Sequence, residues 1–301
     1  MTRRRRVILT GAGGRIGRAI AFRLARDYEV IGLDRAPASV VQVIGDVADF
    51  ELLERTFKGA AAIIHTAALH APHVGIASEA EFQRINVEGT RHVIAAAREA
   101  GIRRLVFTST TALYGKASRR ADGAAAWIDE DTPPEPVTVY HRSKLEAESL
   151  LEEAASPSLS VRILRMSRCF PEPAPTMAAY RLHRGVDARD VAEAHALALA
   201  NDGPACQTFI ISGATPFRPE DCAALGRDAP SVIAARAPIL AEAFTARGWE
   251  LPARIDRIYV PHKAETVLGW RPRFGFEAVL SMLDQEISEV LPPTERAQGE
   301  E

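Results

Sequence analysis

Long apolar runs are missing from this chain of 301 residues. Nowhere do about 18 apolar residues follow one another, so no membrane-spanning helix is expected. Cysteine is scarce. Cys169, Cys206 and Cys222 are odd in number and show no Cys-x-x-Cys spacing, which argues against a disulfide framework or structural zinc. The eight histidines show no His-x-x-x-His spacing, so no metal centre is expected. Charge is nearly balanced: 37 basic against 39 acidic side chains leave −2, which asks for neither nucleic acid nor an anionic membrane as partner. The one charge block, residues 3–6 ("RRRR"), runs directly into an apolar strand and reads as a solvated entry segment, with a basic binding arm as the alternative. The apolar "VILT" is too short for the core of a secretory signal. Internal repeats and low-complexity tracts are absent, and a reducing cytoplasm is the expected compartment.

What is present is ordinary globular composition, 47% hydrophobic and 25% charged. The length suits one large α/β unit, alone or with a smaller lobe. Apolar strands alternate with amphipathic helices over the first 170 residues. "RVILT", "YEVIGLD", "VVQVIGDV", "AAIIHTAA", "RRLVFTST" and "LSVRILRM" read as strands. Between them, "RIGRAIAFRLARD", "FELLERTFKG", "EFQRINVEGTRHVIAAAREAG" and "SKLEAESLLEEAA" read as helices, the third closed by Gly101. Such alternation predicts a parallel sheet covered on both faces, with ligands at the carboxyl ends of the strands near a topological switch.

The stretch "TGAGGRIG" lies between the first strand and the first helix. Gly11 permits a tight turn, Gly14 allows close approach of a phosphate, and Gly17 lets the helix pack against the sheet. The free N–H groups of the helix start then suit a pyrophosphate. Asp34 closes the second strand, 17 residues after Gly17, where a carboxylate meets an adenosine ribose. It favours a free 2′-hydroxyl and therefore NAD over NADP. Arg15 and Arg35 are the counter-argument, since either could meet a 2′-phosphate. The expected fold class is α/β, a Rossmann-type doubly wound parallel sheet with a smaller C-terminal lobe. Residues 1–165 and 187–212 form the NAD-binding domain, and residues 166–186 and 213–301 the substrate-binding lobe.

Taken alone, "YHRSK" (residues 140–144) reads as a surface helix carrying a tyrosine and a lysine. Together with the glycine loop, "GDV" (45–47), "HTAA" (65–68), "NVEGT" (86–90) and "STTALYG" (109–115), it makes the sequence resemble an extended short-chain dehydrogenase/reductase. That branch contains nucleotide-sugar epimerases, dehydratases and uronate dehydrogenases. The resemblance implies that Asp46 and Val47 hold the adenine and that Ala67 and Ala68 line the dinucleotide, with Ile16 and Cys169 completing the wall. It places Asn86 on the helix beneath the site and makes Thr110, Tyr140 and Lys144 the catalytic set. Residues i and i+4 share a helix face, so Lys144 is expected to reach the nicotinamide ribose and, joined by the positive nicotinamide ring, to lower the Tyr140 pKa towards neutrality. Tyr140 would then take a proton from a substrate hydroxyl that Thr110 positions, while hydride passes to NAD.

Departures from the family narrow the substrate. "LRMSRCFPEP" puts Arg168 where epimerases carry asparagine, and the long nucleotide-holding insert is missing. The shortened turn looks more like a uronate dehydrogenase, although residues 213–301 form a longer tail than those enzymes have. Arg168, Arg181, His183 and Arg184 could hold a carboxylate or phosphate, or pair with the fold's own acids. His70 and Thr111 are candidate substrate contacts, whereas His65 reads equally well as a packing residue. His141 is expected to face away from the phenol, with Ser109 a structural neighbour of Thr110. Residues 116–139, with "DEDTPPEP", could form a mobile lid. The resulting expectation is NAD-dependent oxidation or reduction of a sugar or sugar acid, in a homodimer implied by resemblance. A redox-neutral nucleotide-sugar 4-epimerase and a non-catalytic NAD-binding regulator are the alternatives.

Overall fold

The computed structural model describes residues 4–293, so Arg3 of the basic block and the end of the 213–301 segment lie outside the described residues. The basic block enters the sheet through its own contacts. Arg4 Nη1 donates to Ala25 O at 2.9 Å, and Arg6 pairs with Glu29 at 3.3 Å.

Strands β1 (Arg6–Thr10) and β2 (Glu29–Asp34) are joined by helix α1 (Arg15–Leu24). The expected third strand shrinks to β3 (Val43–Ile44), because only two of its residues pair with β2. Helix α2 (Phe50–Phe57) starts where the Asp49 carboxylate accepts from Leu52 N–H, and leads to β4 (Ala62–His65). The next helix is not uniform. α3 (Glu79–Phe82) passes through a π-turn at Gln83–Glu88 into α4 (Gly89–Glu99), and Gly101 ends it at φ +67°. β5 (Arg104–Thr110), β6 (Ala126–Ile128), α5 (Val139–Ala154) and β7 (Ser160–Met166) follow, then α6 (Ala174–Tyr180), α7 (Ala188–Ala200) and β8 (Cys206–Ile211). The remaining described chain holds α8 (Cys222–Leu225), α9 (Ala229–Arg236), α10 (Pro238–Ala246), β9 (Arg257–Tyr259), α11 (His262–Val267) and α12 (Phe276–Asp284).

Seven strands form one sheet in the order β3-β2-β1-β4-β5-β7-β8, every pairing parallel. The doubly wound parallel sheet is as expected, with the order reversing between β1 and β4. Side chains alternate across the strands. Val7, Leu9, Ile64, Val106 and Leu164 face α1 and α7, while Ile8, Ile63, Leu105, Phe107 and Ile163 face α2, α4 and α5. Both faces are therefore buried, which is why these strands read as near-continuous apolar runs. A third apolar cluster joins α6, α9, α10 and α12 through Met177, Leu182, Ile233, Leu240, Phe244 and Val279. No helix among the described residues is long and apolar enough to cross a membrane.

The segment 116–139, a candidate lid, is closed at its base and paired with a distant strand. β6 pairs in parallel with β9, Lys116 N–H donates to Glu135 O at 3.0 Å, and Ala126 N–H donates to Asp256 O at 2.8 Å.

Candidate active site

A cleft of about 790 Å³ opens at the carboxyl ends of the strands, over the β1–β4 switch. Its floor at one end is the glycine loop. Gly11 sits at φ +69°, and a Cβ there would lie 2.6 Å from Ala67 N and from Thr66 Oγ1. A Cβ on Gly17 would fall 2.1 Å from Gly11 O, so the loop and α1 are in backbone contact. Gly14 caps α1 without a side chain, and the first turn carries no acid. Arg15, Ile16 and Gly17 thus present the helix start to the cleft.

The Asp34 carboxylate accepts from Gly13 N–H at 2.9 Å and Ala36 N–H at 3.1 Å, which fixes it beside the loop. Both rival cations have acidic neighbours: Arg15 pairs with Glu289, and Arg35 lies 3.7 Å from Glu81 and 3.9 Å from Asp46. Asp46 also accepts from Ala48 N–H and pairs with Arg84 at 3.0 Å. Val47, Ala67, Ala68 and Cys169 line the same cleft. Cys169 is buried and its thiol is pushed up to about 11 by that burial.

The other end of the cleft is built by β5 and α5. Thr138 and His141 cap α5 reciprocally, Thr138 Oγ1 accepting from His141 N–H at 3.2 Å. This holds His141 at the helix start, where its Nδ1 accepts from Val137 N–H. Tyr140, Lys144 and the Thr110 side chain all line the cleft, with Thr110 hydrogen-bonding the Tyr140 phenol. Lys144 is 3% exposed; its Nζ donates to Thr108 O at 2.6 Å and stands 3.9 Å from the Phe107 ring centroid. The protein's own groups do not by themselves produce the expected depression of the Tyr140 pKa. Burial pushes the phenol up to about 12, only partly opposed by Thr110. Burial also brings Lys144 down to about 7, against the pull of Glu148. Burial is the largest cause for both groups.

Asn86 sits in the π-turn beneath the site. Leu69 N–H donates to its Oδ1 at 2.7 Å, and its Nδ2 donates to Leu69 O and Ser143 Oγ at 2.9 Å. It thereby ties the segment after β4 to α5. His65 is a packing residue, buried between Thr10 Oγ1 at 2.7 Å and Thr90 Oγ1 at 3.1 Å, its pKa brought down to about 3 by burial. Ser109 donates to the Glu148 carboxylate.

The substrate candidates divide. His70 lines the cleft and stacks on Phe170 at 5.9 Å. Thr111 also lines it, and Thr111 O accepts from Tyr259 OH at 3.3 Å. Arg168 is at the mouth, bonded to Glu172 at 2.6 Å; Arg184 lies over the Tyr180 ring at 4.1 Å, also against the cleft. Arg181 is not there. It is 3% exposed and directed into the fold, where Nη2 donates to Asp187 at 3.0 Å. His183 is likewise buried, its Nδ1 donating to Arg257 O at 2.9 Å, and is kept neutral by that burial. Sequence reasoning missed His73, Phe170, Arg257, Tyr259 and Glu289, all against the cleft. For Arg257 and Tyr259 no local signal existed, because β9 reaches the site only through its pairing with β6.

Fold and cleft together define a doubly wound α/β protein with a ligand cleft at its topological switch. The chain belongs to the NAD dependent epimerase/dehydratase family, whose model matches residues 7–178. It is 31% identical over 172 residues to the N-acetyl-alpha-D-glucosaminyl-diphospho-ditrans,octacis-undecaprenol 4-epimerase of Escherichia coli O157:H7, covering 55% of this chain and 49% of that one. It is 34% identical over 155 residues to the L-arabinose 1-dehydrogenase (NAD(P)(+)) of Haloferax volcanii, covering 48% and 59%. The match spans about half the length of these curated relatives. In structure, a short-chain dehydrogenase/reductase superfamily protein from Agrobacterium tumefaciens, solved with bound NAD, aligns over 94% of this chain and 98% of that one. The TM-score is 0.70 at 20% identity, a likeness of fold.

Proposed function

We propose that the protein is an NAD-dependent oxidoreductase acting on a secondary alcohol of a sugar or sugar acid. One observation carries the reading: Thr110, Tyr140 and Lys144 line the same cleft as the glycine loop and Asp34. The residues present suit the coenzyme. The loop leaves no room for side chains at Gly11 or Gly17, the start of α1 is uncapped, and Asp34 stands fixed beside it. NAD bound there would supply the hydride acceptor. Asp34, with Arg35 and Arg15 both beside acids, favours NAD over NADP. Thr110 orients the substrate oxygen and Tyr140 exchanges its proton. At neutral pH the buried phenol holds that proton, the form that serves carbonyl reduction; oxidation requires its prior loss, which a protonated Lys144 favours.

The segment between β7 and α7 supports a small substrate. Residues 167–187 contain only the seven-residue α6, and bring Arg168 and Arg184 to the cleft mouth. Little chain is left there to enclose a nucleoside diphosphate, while an arginine suits a carboxylate. The second reading, a nucleotide-sugar 4-epimerase, is favoured by the relatives named UDP-glucose 4-epimerase. The division into a coenzyme domain (1–165, 187–212) and a substrate lobe (166–186, 213–301), a homodimer and a cytoplasmic location belong to the same proposal. Incubation with excess NAD and a panel of sugars and sugar acids tests it. NADH should accumulate, and Tyr140→Phe should slow turnover by about 10²–10⁴-fold. Epimer formation without NADH would establish the second reading; full turnover by Tyr140→Phe would refute both.

A further inference from the structure

Beneath the β5–α5 end of the cleft lies a buried charge cluster that the chemistry above does not use. Glu148 follows Lys144 by one helical turn and is 1% exposed. Arg165, on β7, donates to its carboxylate through Nε at 3.2 Å and Nη2 at 2.7 Å, and Ser109 donates to it from β5. Arg165 Nη1 donates to Tyr114 OH at 3.0 Å, and that hydroxyl donates to Asp129 O at 2.9 Å. Buried ion pairs are seldom the most stable solution, since well-packed apolar residues often do as well. A pair placed one turn from a buried lysine has another use.

Resting on the proposed function, we infer that Glu148, held in place by Arg165, is a positioning residue that keeps Lys144 charged and so sets the pH range in which Tyr140 can react. Burial alone drives Lys144 towards the neutral amine, and the Glu148 carboxylate opposes this. Arg165, paired with that carboxylate at 2.7 Å, opposes Glu148 in turn. The other groups facing Lys144 are Tyr140 on its own helix, Thr108 and Ser109 on β5, and His65 and His70 at and after β4. Neutral Asn86 lies on the π-turn. Both histidines are shifted towards the neutral form, so Glu148 is the anion of this set and Arg165 its counterweight.

The two partners therefore predict shifts of opposite sign, which a merely structural pair would not give. The chain has only four lysines, Lys58, Lys116, Lys144 and Lys263, so the Lys144 side chain can be followed directly by carbon-13 NMR of lysine-labelled protein. Glu148→Gln should lower the Lys144 midpoint by roughly one pH unit, Arg165→Met should raise it, and the double variant should return it close to the wild-type value. The alkaline limb of kcat/KM, where Lys144 loses its proton, should move in the same directions, and Glu148→Asp should restore most of the profile. Should Glu148→Gln alone fail to fold with Arg165 unpaired, Arg165→Met and the double variant still decide the matter. A Lys144 midpoint unmoved by Arg165→Met, or moved the same way by both substitutions, overturns the inference. Full turnover by Tyr140→Phe would instead sink the reading of the site, and would leave the lysine titration unaffected.

Discussion

Gly17→Ala separates backbone contact from helix propensity. On propensity alone, alanine in place of glycine inside α1 should stabilise the protein by roughly 1 kcal/mol. The structure predicts the opposite sign. The new Cβ would lie 2.1 Å from Gly11 O, 2.7 Å from Ala12 Cα and 2.9 Å from Ala12 C, all backbone atoms. Reaching an ordinary contact of 3.4 Å requires a separation of about 1.3 Å between helix and loop. The loop cannot retreat, because Gly11 is itself against Ala67 N. The helix must move instead, and its inner face packs with Ile20, Ala21 and Leu24 into the core it shares with α7. Overpacking costs about 1–3 kcal/mol, and so close a backbone contact belongs at the upper end, so the net loss should be about 2 kcal/mol. Denaturant unfolding should show a lower midpoint at unchanged slope, and calorimetric titration should show NAD binding weakened at least about tenfold. Gly89→Ala is the control, because its Cβ meets first the side-chain methyl Val47 Cγ2, at 2.9 Å, which can rotate aside. A Gly17→Ala protein as stable as the wild type, or more so, would refute the backbone-contact argument.

Acid should destabilise the fold through its buried histidines. His65 and His183 are held near about 3 and His195 near about 4 by burial. Below about pH 6.5 the unfolded chain binds protons that the folded chain refuses, so stability falls as pH drops towards those values. The slope is on the order of 1 kcal/mol per pH unit for each group. Unfolding midpoints measured between pH 7 and pH 5 should decline accordingly, and a flat response would contradict the burial assigned to these rings. Arg181→Ala should cost about 1.5–3 kcal/mol, because buried Asp187 loses one charged donor and keeps the pair with Arg189, yet leave KM unchanged in the folded fraction. A raised KM at unchanged stability would return Arg181 to the substrate site.

The alternation of β-branched runs and amphipathic helices was enough to read the sheet, because both of its faces are buried and every strand shows it. The glycine loop and Asp34 were legible because their spacing along the chain is short: Gly17 answers to Gly11 O within the loop, although Gly11 answers to Ala67, just past the neighbouring strand's end. The single long helix read from "EFQRINVEGTRHVIAAAREAG" hides a π-turn, since one extra residue barely disturbs an apolar period. Arg181 and Arg184 look alike in sequence. What separates them is Asp187, six residues beyond Arg181, and the Tyr180 ring on which Arg184 lies. The protonation of Tyr140 and Lys144 was read from their spacing, which gives their proximity but not the depth at which they sit. Burial turned out to be the larger effect.

The parallel pairing of β6 with β9 bears on how this scaffold can be re-engineered. Those strands join the stretch between β5 and α5 to a segment more than a hundred residues later. A chimera that exchanged only the C-terminal third with a homologue would meet a foreign partner strand at Ala126–Ile128, directly upstream of the helix bearing Tyr140 and Lys144. Altering selectivity by recombination therefore calls for transplanting both segments as a matched set, with crossover points outside each strand.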